Sequence, residues 1–140
     1  MKRLVLIFAI ALSTLQVCGH EHSKFDPKRF EVELEQFIAT EAALSPQEAS
    51  AFFPVYKEMQ RKQRVLFSKL RRYRHIDTSD DKASLEAIKA KDEIELEIKE
   101  LQQQYHMKFC KMMSAGKVLR IIKAEEKFHR QAFRRAARRR

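Results

Sequence analysis

The sequence predicts an all-α fold: four helices built around a long helical hairpin. Glycine occurs only at positions 19 and 116, and proline only at 27, 46 and 54. A chain so poor in turn residues favours long helices joined by few, short loops. Apolar residues recur in steps of three and four, the spacing that lines one face of a helix. Two of the three prolines directly follow Asp26 and Ser45, the residue types that cap a helix one position before its first turn.

Each element follows in order. Asp26-Pro27 reads as N-cap and first helical residue of a helix to about residue 43, with Phe30, Leu34, Phe37 and Ile38 on one face. The stretch "LSPQEASAFFP" (44–54) opens the second helix. Ser45 accepts from the amide of Glu48 while the Glu48 side chain reaches back to Ser45, a box that satisfies two donors otherwise left without partners. Its apolar face runs Ala49, Phe52, Tyr56, Met59, Gln63, Leu66, Leu70 and Tyr73, coiled-coil spacing with one strongly polar member. Pro54 lies inside this helix and should kink it, because it removes a backbone donor and crowds the preceding turn. Residues 75–79 form the loop. A third helix from about 80 to 113 carries Ile94, Ile98, Leu101, Tyr105, Phe109 and Met112, and Ser114-Ala115-Gly116 breaks it. The last helix presents Val118, Ile121, Ile122 and Phe128 before thinning into arginine-rich sequence.

Residues 1–19 read as a signal peptide. Met1-Lys2-Arg3 and an apolar run from Leu4 to Leu15 match its basic and apolar regions. The run is shorter than the roughly 20 apolar residues a membrane-spanning helix needs. Acylation of Cys18 after Leu15-Gln16-Val17 is a less favoured lipoprotein reading, because Val17 is bulky for that position. Residues 20–140 then form one helical domain with a periplasmic address. Cys110 stands alone in it, so no internal disulfide staples the fold and stability rests on packing.

The exported domain carries 27 Lys+Arg against 19 Asp+Glu, a balance that favours acidic partners. Charge is segregated. Residues 61–74 hold seven bases and no acid, residues 127–140 again seven bases and no acid, and residues 92–100 five acids against one base. In a hairpin of helices two and three the basic half of one lies near the acidic stretch of the other. The terminal cluster Arg130, Arg134, Arg135, Arg138, Arg139 and Arg140 has no obvious acidic neighbour in sequence. It reads as a solvated helix end, a client-holding edge or a contact with anionic lipid. Export and the lack of interleaved aromatics argue against nucleic acid as a partner.

A shift of 69 residues lays Leu44-Ser45 on Met113-Ser114, Ala49 on Val118, Phe52-Phe53 on Ile121-Ile122 and Met59 on Phe128. With the leader and the long helices, these two capped starts resemble the Spy/CpxP family of periplasmic stress proteins, whose mark is a repeated Leu-Thr-x-x-Gln motif. The first copy here is Leu44-Ser45-Pro46-Gln47-Glu48, which keeps the capping chemistry. The second, Met113-Ser114-Ala115-Gly116-Lys117, keeps the capping Ser but loses the closing side chain. The resemblance implies a four-helix, curved antiparallel homodimer. It also implies work as an ATP-independent chaperone, a stress-sensing adaptor of a membrane sensor, or a metal-responsive periplasmic protein. In that picture the motif is structural.

No nucleophile–base–acid set and no phosphate loop is present, so the chain reads as a non-enzyme without a cofactor. The leading expectation is a chaperone that binds misfolded envelope proteins on a basic, partly apolar concave surface. Phe52, Phe53, Tyr56 and Met59 beside Arg61, Lys62 and Arg64 are the residues expected to touch the client. Apolar residues at helical spacing are more often plain core. The alternative is heavy-metal binding. Cleavage after Gly19 would leave His20-Glu21-His22, with a free amine and a third-position imidazole suited to Cu(II) or Ni(II). His106 and Cys110, four apart on one helix face with Met107 and Met112 nearby, form a second weak candidate, within an alternative that covers zinc, copper and nickel.

Overall fold

The computed structural model describes residues 26–138; the expected signal peptide (1–19), with Cys18, and His20, His22, Phe25, Arg139 and Arg140 lie outside them. Four α-helices account for nearly all of this stretch: α1 (Pro27–Glu41), α2 (Pro46–Arg71), α3 (Asp81–Met112) and α4 (Ala115–Arg138), with a 3₁₀ turn at Arg72–His75. The fold is all-α, as the sequence predicts. None of the described helices is long and apolar enough to cross a membrane.

The helix starts follow from local chemistry. Asp26 Oδ1 accepts from the amides of Lys28 and Arg29, and Asp80 Oδ1 from that of Ala83. At Ser45 the box closes in both directions: the Glu48 amide donates to Ser45 Oγ at 3.2 Å, and the Ser45 amide to Glu48 Oε2 at 2.8 Å. Ser114 caps α4, with the Lys117 amide 3.4 Å from its Oγ. The break between α3 and α4 is therefore only Met113 and Ser114. Ala115 and Gly116, expected in that break, form the first turn of α4 instead.

Termination of α1 needs a left-handed residue, and it is not a glycine. Ala43 has φ 49°. The Leu44 amide donates to the carbonyl of Ala39 at 2.9 Å and the Ala43 amide to that of Thr40 at 3.2 Å, the paired bonds of a Schellman turn. Pro54 sits inside an uninterrupted α2. The carbonyl it leaves without a helical donor belongs to Ser50, and both residues face solvent, where water satisfies it.

Packing is by pairs. α2 lies along α3 as the long hairpin, α1 lies on α4, and α3 and α4 touch where the pairs meet. The core sits at this junction and draws on all four helices: Leu34 and Ile38 from α1, with Ala42 just beyond its end, Phe52, Tyr56 and Met59 from α2, Tyr105 and Phe109 from α3, and Val118, Ile121, Ala124 and Phe128 from α4. Beyond the junction the hairpin is two helices thick, and Gln63, Ala87, Ile94 and Ile98 close only the seam between them. Met112, expected on the buried stripe of α3, is exposed instead because the chain is already turning there.

The 69-residue echo has a structural counterpart. Glu48 pairs with Lys117 and Tyr56 with Glu125, each pair 69 residues apart. Equivalent positions of α2 and α4 thus meet each other through side chains at two places eight residues apart along each helix.

Candidate functional site

All four helices border an open groove of about 860 Å³ where the α1·α4 pair diverges from the hairpin. Phe30 and Leu34 of α1, Phe67 of α2 and Ile122 of α4 supply its apolar surface. Its polar surface is amide-rich, with Gln60 and Gln63 from α2 and Gln102 from α3. Lys28, Arg64 and Lys99 line it together with Glu31, Glu125 and Glu126. The groove itself is therefore charge-balanced. The basic excess lies at the hairpin tip and the end of α4, beyond the groove.

Glu125 organises the groove floor. Its Oε1 accepts from the Tyr56 hydroxyl at 2.7 Å and lies 3.8 Å from His129 Nε2. Burial, then the neighbouring Glu125 carboxylate, raise the Tyr56 phenol far above its ordinary value, so it remains a donor at every physiological pH. Burial holds His106 below the usual imidazole range, so it faces the groove neutral near pH 7. On the neighbouring face the Tyr105 hydroxyl donates to Glu58 at 2.7 Å, with Lys62 2.9 Å from the same oxygen. Tyr105 first, then Lys62, bring Glu58 down to about 2.

The residues expected to touch a client divide sharply. Phe52, Tyr56 and Met59 are 0%, 1% and 2% exposed, so they are core and present no surface. Phe52 stacks on Tyr56 at 5.3 Å and meets the Phe109 ring at 4.7 Å, contacts a client would have to break. Phe53 is half-buried against the same cluster. Arg61, Lys62 and Arg64 are exposed, and only Arg64 borders the groove. Phe67, 45% exposed, is the groove aromatic that periodicity passed over, because Leu66 beside it continues the core register. Its flanking Arg64 and Arg71 were the available signal. Leu44 and Met113 both pack against the core from the two capped turns.

Other expected features also find their places. Arg130, expected to lack an acidic neighbour, lies 3.8 Å from Glu126 on its own helix. The hairpin pairing of basic and acidic stretches comes down to Lys69 and Glu97 at 3.9 Å, both about half exposed and contributing little. His106 and Cys110 share a helix, yet no group of three His, Cys, Asp or Glu ligands converges among the described residues. Cys110 packs against the core. The weak metal candidates His20 and His22 lie outside the described residues. What the groove offers chemically is amide hydrogen bonding, two imidazoles and scattered apolar contact, a surface for binding.

No family model matches the chain, and neither a curated protein nor a solved structure matches it at a significant level.

Proposed function

We propose that the protein is a periplasmic, ATP-independent chaperone-like protein that holds misfolded envelope proteins, working as a homodimer. One observation carries the reading: an open groove lined by all four helices mixes Phe30, Phe67 and Ile122 with glutamines and both signs of charge. Amide-rich, weakly apolar surfaces suit shallow contact with many unfolded sequences, because no single pocket demands a particular side chain. The basic hairpin tip and α4 end flank that groove and speed the encounter with acidic chains. Client contact falls to Phe67 and the groove rim. Phe52, Tyr56 and Met59 support the rim from below.

The test is light scattering by a reduced, acidic, unfolded protein in the presence of the purified domain across a salt series. Aggregation should slow at low salt, and the effect should shrink as salt screens the approach. Unchanged aggregation at molar excess in low salt would remove the proposal.

A further inference from the structure

The basic tip of the hairpin holds a cleft of its own. Arg64, Phe67, Leu70, Arg71 and Arg74 follow one another in steps of three, three, one and three along α2 and the 3₁₀ turn, and all line one space of about 560 Å³. Lys91 and Glu95 of α3 close the opposite wall. That volume falls within the roughly 300–1,000 Å³ usual for small-molecule sites. Four cations face it against one carboxylate. The basic side chains nearby that do find partners are Lys62, on Glu58, and Lys69, on Glu97. Arg64, Arg71, Arg74 and Lys91 form no ion pair among the described residues, and Glu95 does not pair with Lys91 one turn away.

Unpaired cations around one space repel one another, and an anion placed among them relieves that repulsion. An excess of three positive charges suits a doubly charged phosphoryl group better than a single carboxylate. Guanidinium forks match phosphate oxygens two at a time. The apolar side chains narrow the ligand further. Phe67 is 45% exposed and Leu70 half-buried, and both border the cations. A ligand that satisfies the whole cleft carries its phosphate next to an apolar group.

We propose that this cleft is a binding site for a phosphorylated amphiphile, with Arg71, Arg74 and Lys91 on the phosphate and Phe67 and Leu70 on the adjoining hydrocarbon. The cleft shares Arg64 and Phe67 with the groove, but Arg71, Arg74 and Lys91 line the cleft alone, so losses at those three residues report on this site and aggregation suppression reports on the other.

The chain has no tryptophan, so Phe67→Trp places a single reporter in the cleft. Its emission is followed while titrating short-chain phosphatidic acid below its micelle concentration. Phosphatidylcholine of the same chains, inorganic pyrophosphate and a glutamate-rich peptide are titrated in parallel. A saturable blue shift is expected with phosphatidic acid, at an affinity about tenfold or more above phosphatidylcholine. Pyrophosphate should compete more weakly. Arg71→Gln with Arg74→Gln should lose about tenfold or more of that affinity at an unchanged melting temperature. Arg134→Gln with Arg135→Gln, the same charge loss on α4, should leave it intact. Calorimetry on the unsubstituted protein should return the same order of ligands. Equal binding of the two lipids, or equal losses in the two double variants, would overturn the site. Pyrophosphate binding as tightly as phosphatidic acid would overturn its apolar half, and tighter binding of the acidic peptide would make the cleft a peptide site instead.

Discussion

The Glu48 carboxylate accepts from the Ser45 amide at 2.8 Å and from Lys117 Nζ at 2.6 and 2.7 Å, so one side chain closes a cap and ties the starts of α2 and α4 together. Lys117 occupies the place where the second motif lacks its closing side chain, and it uses the carboxylate of the first copy instead. Lys117, then the Ser45 amide, hold Glu48 below the usual carboxylate range, and Tyr105 and Lys62 bring Glu58 to about 2. A carboxylate whose folded value is depressed binds fewer protons folded than unfolded. Its stabilisation is complete above the unfolded value and is lost as pH falls through the folded one. The urea midpoint should therefore fall between about pH 5 and pH 2. Glu48→Gln combined with Glu58→Gln should flatten that fall, and a decline as steep as the parent's would assign the acid sensitivity to other groups. The Ser45 cap was legible because it closes within four residues. The Lys117 arm was not, since nothing local links positions 69 apart.

At the scale of the element, the starts of α1 and α2 could be read from the sequence because caps are local, and Asp26 and Ser45 lie next to the turns they satisfy, while α4 starts inside the break expected at 114–116. The end of α1 was harder to read. A Schellman turn usually announces itself with glycine, and here Ala43 takes the left-handed position, where its Cβ crowds the following carbonyl. Relieving that contact outweighs the extra freedom glycine gives the unfolded chain. Ala43→Gly should raise unfolding stability by about 1 kcal/mol, measured as a shift in urea midpoint at constant slope. A loss of stability would mean that the Ala43 methyl contributes packing beyond its strain. Stripe residues of α2 were legible by period: Phe52, Tyr56, Met59 and Gln63 are buried as spaced. The period does not say where a stripe stops being covered. Leu66 and Leu70, on the same stripe, are only half-buried because just α3 faces them there.

At the scale of the molecule, stability is concentrated at one end. Twelve residues drawn from the four helical segments form the junction core, while the hairpin beyond it closes a single seam with Gln63, Ala87, Ile94 and Ile98. Opening free energy follows the apolar surface lost on opening, so the tip should open without the core. In hydrogen exchange, amides around Tyr105, Phe109, Ile121 and Ala124 should exchange last. Those between Arg64 and Arg74, and from Leu85 to Lys91, should exchange well before them. Uniform protection along α2 and α3 would show that the hairpin opens only with the whole fold. This gradient also sets where binding surfaces lie. The groove borders the core through Leu34, Phe30 and Ile122, whereas the tip cleft lies on the thinner hairpin beyond it.

The sequence by itself determined the helices, their caps, the apolar stripes and the segregation of charge, since each is fixed by neighbours within a turn or two of helix. Only the tertiary structure decided which aromatics close the core and which border a groove. Phe52 and Phe67 both lie on α2, but the first meets Phe109 while the second borders the groove and the tip cleft. Tertiary structure also set Tyr56 on Glu125 and Lys117 on Glu48, and gathered Arg64, Arg71, Arg74 and Lys91 around one space. Those outcomes depend on how the α1·α4 pair sits against the hairpin, and that is settled by the summed packing of all four helices.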